Sequence, residues 1–405
     1  MILACLTKVH GRVMNRTRLA VVCDFPEEGW PSMDLVGEMM LSHLAARHQQ
    51  DWTASRVCPP YKHRLGRWPF LGGSGLARNG DRVLNRFWDY PRALKGLVKR
   101  AEFDLFHLVD HSYAQLVHDL PPGRTVVTCH DLDTFRCLID PERDPRPSWF
   151  RALARRTLEG LKWASAVVCN SETTRNELLA HGLVDASRAH VAYLGIHPEC
   201  SPEPDPAADV ELARLVGPVP HGGAIELVHV GSTIPRKRID VLLSTFAAVR
   251  RHHPGARLLR AGGALNAEQA QQARDLGVAD AIVTLPFCSR AVLAALYRRA
   301  SVVLVTSEAE GFGLPVIEAL ACGAPLIASD LSALREVGGE APLYLPVADL
   351  KAWSAATLEA LDQASGSSAR QARQELGIAR AELFRWSRHA DELVRIYQAV
   401  LGEGN

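Results

Sequence analysis

The chain has 405 residues, a length that suits two domains of about 200 residues each better than a single core. Its 46 Lys and Arg residues balance 45 Asp and Glu residues, so global charge gives no reason to expect nucleic acid as a partner. Hydrophobic residues make up 47% and charged residues 22%, as in soluble globular proteins, and no apolar run reaches the roughly 18 residues of a membrane-spanning helix.

Nine cysteines are scattered along the chain without CxxC or metal-like spacing. Cys23 and Cys169 lie inside apolar runs, which predicts small buried side chains in a reducing compartment. The opening MILACL has no basic region and makes a poor signal peptide. We therefore expect a cytoplasmic protein, with residues 1–17 a tail of uncertain structure and Met14 an alternative start.

Strands alternate with helices through the first half of the chain. Short β-branched runs predict strands at 18–25, 103–109, 124–130 and 165–171. Apolar residues at three- and four-residue steps predict helices at 34–48 and 148–163. This alternation predicts a parallel sheet that is covered on both faces.

A proline-rich segment then separates this series from a second one. Residues 198–223 contain six prolines among mixed polar residues and predict a linker, with room for a short helix. The second series predicts strands at 225–232, 257–263, 280–286, 301–307 and 324–330. An amphipathic pattern predicts a single helix over 381–401.

These elements predict an α/β protein with two doubly wound Rossmann-like domains facing across a cleft, with sites at the carboxyl ends of the strands. The first domain covers 18–197, and the second covers 224–380 after the linker at 198–223. The C-terminal helix, 381–405, crosses back to pack on the first domain.

One segment has a strong local charge. Residues 61–100 carry ten Lys and Arg residues but two Asp residues, and they include Trp68, Phe70, Phe87, Trp88 and Tyr90. Basic residues with interfacial aromatics suit an anionic acceptor or a peripheral contact with the inner face of a membrane. An ordinary basic helical face explains the same pattern, and we favour it.

The stretch SEAEGFGLPVIEALACG, 307–323, joins a buried strand to a helix with Pro315 in its first turn. Free amides at the helix start, on Gly313, Leu314 and Val316, together with the helix dipole form a site suited to phosphate. A plain strand-to-helix loop with an acidic turn is the alternative.

Two glutamates flank this anion site. Phosphate would repel a carboxylate, so Glu310 and Glu318 suit hydroxyl groups on either side of a diphosphate. Glu318, one turn into the helix, would accept hydrogen bonds from a ribose diol. Glu310, on the loop, would face a sugar.

A basic loop follows the first strand of the second domain. Gly231 permits close backbone approach, and Arg236 and Lys237 follow it at the same sheet edge. Two adjacent cations can clamp a diphosphate and offset the charge of a leaving group. A solvated basic turn is the alternative.

His130 and Asp131 directly follow a strand of the first domain. The histidine would contact a sugar hydroxyl, and a structural histidine explains the position equally well. The DLD triplet at 131–133 also fits a metal-binding pattern. We discount it, because short acidic patterns are common and Arg236 with Lys237 can replace the charge of a metal.

With these residues in view, the chain resembles the retaining glycosyltransferases of family 4, which have the GT-B architecture. The resemblance covers nearly everything from about residue 18 onward. Its most specific marker is the Glu-x7-Glu pattern of Glu310 and Glu318. Supporting matches are VGSTIPRK, AGG at 261–263, NSETTRNEL at 170–178, YLGIH at 193–197 and ASDLSALREVGGEAPLYL at 328–345.

The resemblance implies a nucleotide-diphospho-sugar donor on the second domain and a glycan or lipid-linked acceptor on the first. It implies transfer with retention, in polysaccharide or glycolipid synthesis, without a cofactor or an essential metal. By this resemblance Glu318 would bind the ribose, and Glu310 and His130 would bind the donor sugar. The diphosphate would be bound by the amides of Phe312, Gly313 and Leu314, together with Arg236, Lys237 and the loop of Gly231.

The chain departs from the family pattern at two places. The glycine-rich loop after the first strand is replaced by PEEGWPSMD, in which Trp30 and Ser32, with Asp131 elsewhere, become candidates for binding the acceptor. Ser232 stands where relatives often carry an arginine. A nucleotide-sugar epimerase or phosphorylase, and a non-catalytic nucleotide-sugar-binding protein, are the alternative functions.

Overall fold

The computed structural model describes residues 16–67, 75–218, 225–362 and 368–402. Most of the predicted tail therefore lies outside the described residues, as do Trp68, Phe70 and the end of the predicted linker. A helix does form within that linker, at Pro206–Val216. Among the described helices, none combines the length and the apolar composition that crossing a bilayer requires.

The first half of the chain forms a parallel sheet. Its strands are β1 (Thr17–Val22), β2 (Trp52–Val57), β3 (Leu105–Leu108), β4 (Thr125–Cys129), β5 (Ala166–Cys169) and β6 (Ala189–Val191). The helices are α1 (Pro31–Arg47), α2 (Gly75–Leu84), α3 (Tyr90–Lys99), α4 (Arg136–Ile139), α5 (Ser148–Trp163), α6 (Glu172–Ala180) and α7 (Pro206–Val216). The strand order is β2-β1-β3-β4-β5-β6, so β1 lies beside β3, with Val22 opposite Leu108.

The second half forms another parallel sheet. Its strands are β7 (Glu226–Val230), β8 (Arg257–Ala261), β9 (Ile282–Leu285), β10 (Val302–Val305), β11 (Leu326–Ser329) and β12 (Leu343–Leu345). The helices are α8 (Ile239–His252), α9 (Ala267–Asp275), α10 (Arg290–Arg299), α11 (Leu314–Ala321), α12 (Ser332–Gly338), α13 (Leu350–Asp362), α14 (Ser368–Ala381) and α15 (Trp386–Gly402). The order is β12-β11-β10-β7-β8-β9, which confirms the prediction of two doubly wound α/β halves.

The chain divides into two compact units. The first unit comprises residues 1–128, 146–167 and 393–405, and the second comprises 129–145 and 168–392. Buried aromatic rings pack the first unit, with Tyr90 5.1 Å from Phe25 and 5.8 Å from Tyr113. The second unit packs Phe246 and Trp353 against its sheet. The predicted domain boundaries follow chain order rather than compactness, and they stay a prediction.

Three strands have no clear sequence signal, and all three lie at sheet edges. These are β2, β6 and β12. An edge strand pairs on one side only, and β2 keeps several half-exposed or exposed residues in WTASRV, so its apolar pattern is weak. The predicted runs also extend past the observed carboxyl ends: β1 ends at Val22 rather than residue 25.

The prediction of one continuous helix over 381–401 is wrong. Helix α14 ends at Ala381, and α15 begins at Trp386. Between them, the Phe384 ring packs 5.6 Å from Tyr193 and 5.8 Å from Phe312, and the Phe384 carbonyl accepts a hydrogen bond from the amide of Ile196. These contacts fix a turn that helical geometry could not satisfy. The final residues of α15 belong to the first unit, where the Tyr397 hydroxyl lies 2.5 Å from Nδ1 of His107.

Basic residues of the segment 61–100 form ion pairs both within the segment and with neighbouring carboxylates. Asp89 pairs with Lys62 at 2.9 Å and with Arg64 at 2.6 Å. Of the predicted interfacial aromatics, Tyr90 is buried and Trp88 is exposed, with Arg92 stacked 3.3 Å above its ring. The effective positive charge of this surface is therefore smaller than the residue count predicts.

Candidate functional site

Two loops of the second unit meet at the carboxyl edge of its sheet. Strands β7 and β10 are neighbours, so the loops that follow them begin side by side. The Glu308 amide donates to the Arg236 carbonyl at 2.8 Å. The Thr306 hydroxyl donates to the Lys237 carbonyl at 2.9 Å. These bonds bring the basic loop and the Glu310 loop together, as the sequence predicts.

Glu310 lies buried between two cations. Its Oε1 accepts hydrogen bonds from Nζ of Lys237 at 2.5 Å and from the Ser307 hydroxyl at 2.7 Å. Its Oε2 lies 3.4 Å from the guanidinium of Arg236. Burial alone would raise the pKa of Glu310, but Lys237 and Arg236 hold that pKa below its ordinary value. Glu310 is therefore an ionised carboxylate at neutral pH.

Arg236 has further acidic partners, which the sequence does not reveal. Its guanidinium lies 3.2 Å from Asp131 and 3.3 Å from Asp133. Both carboxylates of the DLD triplet thus face an arginine. Within the described ranges, no group of three or more His, Cys, Asp or Glu side chains is arranged to hold a metal ion. Both Arg236 and Lys237 are paired with carboxylates.

The His130 loop packs directly on the Glu310 loop within the second unit. A Cβ atom added to Gly311 would lie 1.7 Å from the His130 carbonyl oxygen. The Gly311 carbonyl accepts hydrogen bonds from the hydroxyls of Ser171 at 2.6 Å and Thr174 at 3.1 Å. No side chain fits at position 311, and Ser171 and Thr174 of the NSETT segment bind the Gly311 carbonyl.

The start of helix α11, which follows this loop, has the geometry of an anion site, but with fewer free amides than predicted. Gly313 has a φ of 96° and precedes α11, a conformation that favours glycine. Among the described residues, the amides of Phe312, Gly313 and Leu314 have no hydrogen-bond partner. The Val316 amide donates to the Gly313 carbonyl at 2.9 Å, so the prediction that it is free is wrong.

Glu318 lies on α11 with partners of its own. The residue is 3% exposed, and its carboxylate accepts a hydrogen bond from the Tyr297 hydroxyl at 3.0 Å. The guanidinium of Arg290 lies 3.8 Å away. Burial raises the pKa of Glu318, and Arg290 opposes that shift only in part. Among the described contacts, Glu318 shares no partner with Glu310.

Arg260 supports the basic loop and is missed by the sequence patterns. It comes from β8, is fully buried, and donates to the carbonyls of Gly231 at 3.4 Å and Gly263 at 3.2 Å. Desolvation lowers the pKa of this guanidinium to about 10. Within the described ion pairs, no carboxylate pairs with it. An arginine inside a strand that precedes AGG is the signal that could have identified it.

The first-unit candidates lie on a separate acidic loop. Trp30 is 38% exposed, Ser32 is half-buried in the first turn of α1, and the guanidinium of Arg82 lies 5.8 Å from the Trp30 ring. Arg82 and Arg86 both pair with Glu28, at 3.0 and 2.5 Å. The third residue predicted to bind the acceptor, Asp131, does not lie on this loop, because it pairs with Arg236 in the second unit.

A pocket of about 190 Å³ opens within the second unit beside this cluster. Its lining includes Asp131, Thr173, Arg236, Glu308, Glu310 and Ser332. A larger pocket of about 320 Å³ lies at the amino ends of β10 and β11. We place the candidate site at the smaller pocket, because the charged residues converge there.

Comparisons with known proteins identify the family of the chain. Residues 38–199 match the model described as Glycosyltransferase Family 4, and residues 224–363 match the model described as Glycosyl transferases group 1. The chain belongs to the family 4 glycosyltransferases. Its fold is accordingly GT-B.

Individual relatives match parts of the chain. The D-inositol 3-phosphate glycosyltransferase of Mycolicibacterium smegmatis is 29% identical over 59% of this chain and 54% of its own length. The O-antigen chain mannosyltransferase B of Escherichia coli is 27% identical over 68% and 71%. The chain spans about half the length of the first of these relatives.

A solved structure shows the same fold over nearly the whole chain. HepE of Anabaena, determined in complex with UDP and glucose, aligns with a TM-score of 0.68 at 16% identity. The alignment covers 95% of this chain and all of HepE. At this identity the likeness establishes the fold.

The acidic partners of Arg236 lead to a first prediction. Replacing Asp133 with Asn removes one carboxylate from Arg236, so a nucleoside diphosphate should bind more tightly, by roughly two- to five-fold and more at low salt. Calorimetry with UDP, GDP and ADP measures the change. The matched control is Asp240→Asn, which removes a carboxylate partner from the neighbouring Arg238 instead. Equal affinity in Asp133→Asn and the wild type would show that Arg236 does not contact the ligand.

The buried Glu318 carboxyl leads to a second prediction. Because its folded-state pKa is raised, ionisation of Glu318 lowers stability as pH rises above its unfolded pKa. Glu318→Gln should therefore raise the melting temperature by about 2 °C at neutral pH, and the gain should vanish near pH 4. The same variant should lose affinity for nucleotides. Differential scanning calorimetry at several pH values tests the first effect, with the exposed Glu340→Gln as control; a gain that is independent of pH would contradict the assignment.

Proposed function

We propose that this chain transfers a sugar from a nucleotide-diphospho-sugar to an acceptor hydroxyl, with retention of anomeric configuration and without an essential metal. The donor binds the second unit, and the acceptor binds the first. The observation that carries the proposal is the burial of Glu310 between Lys237 and Arg236, beside the unpaired amides of Phe312, Gly313 and Leu314.

This arrangement supplies positively charged groups for the diphosphate of the donor and a carboxylate for the hydroxyl groups of its sugar. The amides at the start of α11 and the ammonium of Lys237 attract the diphosphate. The Glu310 carboxylate accepts hydrogen bonds from sugar hydroxyls and is held in one position by Ser307. Phosphate oxygens would compete with Asp131 and Asp133 for the Arg236 guanidinium, so these carboxylates weaken its part in the clamp.

The chemistry follows from positioning and charge stabilisation. The bond between the anomeric carbon and the diphosphate oxygen breaks, and the acceptor oxygen bonds to the same face of that carbon. The departing diphosphate takes the proton of the acceptor hydroxyl. Lys237 and the turn amides stabilise the charge that builds on the leaving group. In this scheme Glu310 orients the sugar, and His130, fixed by the packing of Gly311, lies against the same loop.

The relatives support the choice of substrate class. The HepE complex holds UDP and glucose, and the related enzymes are named for transfer to inositol phosphate and to an O-antigen chain. We infer a hydroxylated glycan or lipid-linked acceptor and a role in polysaccharide or glycolipid synthesis. An epimerase on the same fold would need no acceptor, which makes acceptor dependence the discriminating property.

A peripheral membrane contact through 61–100 is the alternative to the ordinary basic surface that the sequence favours. Its support is the exposed Trp88, with Arg92 stacked on the ring, on a surface rich in Lys and Arg. The ion pairs of Lys62 and Arg64 with Asp89 reduce the charge that is available to anionic lipid.

A nucleotide screen tests the donor site. Thermal shifts with UDP, GDP, ADP and their sugars should identify one family of donors, because a ligand at 100 times its Kd stabilises the folded state by about 2.7 kcal/mol. Lys237→Ala should lose most of this shift. Glu310→Ala should keep a shift with the free nucleotide and lose sugar transfer. Transfer should continue in EDTA.

The exposed Lys351→Ala serves as the control for Lys237→Ala. Normal turnover in Lys237→Ala would contradict the diphosphate clamp. Strict dependence on a divalent metal would restore the metal-binding interpretation of Asp131 and Asp133. Absence of any nucleotide shift in the wild type would overturn the proposed function itself.

Vesicle binding tests the membrane contact. A membrane contact predicts that vesicles containing phosphatidylserine retain the protein at low ionic strength and release it as salt is added, because the attraction would be electrostatic. Trp88→Ala should weaken retention, and Trp163→Ala, an exposed tryptophan outside the segment, is the control. Failure of the wild type to sediment with these vesicles at low salt would remove the contact.

A further inference from the structure

In the first unit, the side-chain carboxyl group of Asp24 is buried where the parallel strands of the sheet end. Val22 of β1 lies opposite Leu108 of β3, so Asp24 and Asp110 each follow a paired residue by two positions. The two side chains therefore emerge next to each other. Asp24 is 3% exposed, and neither of its carboxyl oxygens receives a hydrogen bond from an N–H or O–H group among the described residues.

The polar groups around Asp24 are satisfied by one another. Asp110 accepts hydrogen bonds from the amide of Ser112 at 2.9 Å and from its hydroxyl at 2.5 Å. Arg86 pairs with Glu28 at 2.5 Å and stacks 4.0 Å above the Tyr113 ring. The Tyr113 hydroxyl accepts a hydrogen bond from the backbone amide of Phe25 at 3.2 Å. Apart from the neighbouring Asp110 carboxyl, with which Asp24 shares a hydrogen bond, no described side chain or amide satisfies the Asp24 oxygens.

Buried polar groups without partners are rare, because desolvation costs free energy that a hydrogen bond would recover. Burial, and then the neighbouring Asp110, hold the pKa of Asp24 well above its usual range. A phosphate would be repelled by the carboxyl groups of Asp24, Asp110 and Glu28. The nearby Arg86 is already paired with Glu28. The chemistry therefore favours a neutral hydroxyl, which can donate to Asp24 when it is ionised and can also accept from it when it is protonated.

We propose that Asp24 binds a hydroxyl group of the acceptor sugar and makes the first unit selective for a neutral, polyhydroxylated acceptor. The inference rests on the proposed function, since it names the acceptor of that reaction. The exposed ring of Trp30 offers a flat apolar surface on the same loop. Arg82 joins this ring to Glu28, because its guanidinium pairs with Glu28 and lies against the Trp30 ring.

Binding of simple glycosides tests this site. Saturation-transfer NMR with the methyl glycosides of glucose, mannose, galactose and N-acetylglucosamine, with UDP present, should show contact of at least one glycoside with the wild type. Asp24→Asn keeps the size of the side chain, and it should weaken that glycoside by roughly ten-fold while raising the melting temperature. Glu38→Gln, which changes an exposed carboxylate of the same unit, should leave the affinity unchanged.

Trp30→Ala provides a second, surface variant, which should also weaken the glycoside. Unchanged affinity in both Asp24→Asn and Trp30→Ala would overturn the assignment, as would binding of glucosamine with no binding of the neutral glycosides. If the wild type shows a nucleotide thermal shift but contacts no glycoside, this inference fails and the proposed function stands. If no nucleotide shift occurs, the proposed function fails independently.

Discussion

The charge balance around Glu310 is the interaction on which the candidate site depends. A buried carboxylate is stable only when cations and hydrogen-bond donors surround it, and Lys237, Arg236 and Ser307 supply them. The same contacts tie the loop after β10 to the loop after β7. The cations of the site already pair with Glu310, Asp131 and Asp133, so an anion that binds there competes with these carboxylates.

Much of this arrangement could be predicted from sequence, because its parts are local. Glu310 and Glu318 lie on one short loop and helix, and Arg236 and Lys237 follow a recognisable strand. The alternation of apolar runs with amphipathic helices predicted two parallel sheets, and parallel sheets place their loops at one edge. The buried strands within the runs at 124–130 and 301–307 were the easiest to find, since both runs are rich in β-branched residues.

The parts that sequence could not supply are pairings between distant segments. Nothing local to DLD reveals that Asp131 and Asp133 face Arg236, about a hundred residues later. The turn at Phe384 depends on contacts with Tyr193 and Phe312, whereas the local pattern at 381–401 is helical. Asp24 gave no signal either, because its unmet hydrogen-bonding capacity appears only once its neighbours are known to be paired with one another.

The close packing of Gly311 on the His130 carbonyl has a consequence for engineering the chain. Residues 129–145 belong to the compact unit built mainly from residues 168–392, and Ser171 and Thr174 fasten Gly311 from the same side. A chimera joined within the proline-rich segment would combine a His130 loop from one parent with a Gly311 loop from another. Such a hybrid keeps this contact only where the second parent also has a glycine at the position of Gly311, so these two loops are best exchanged together.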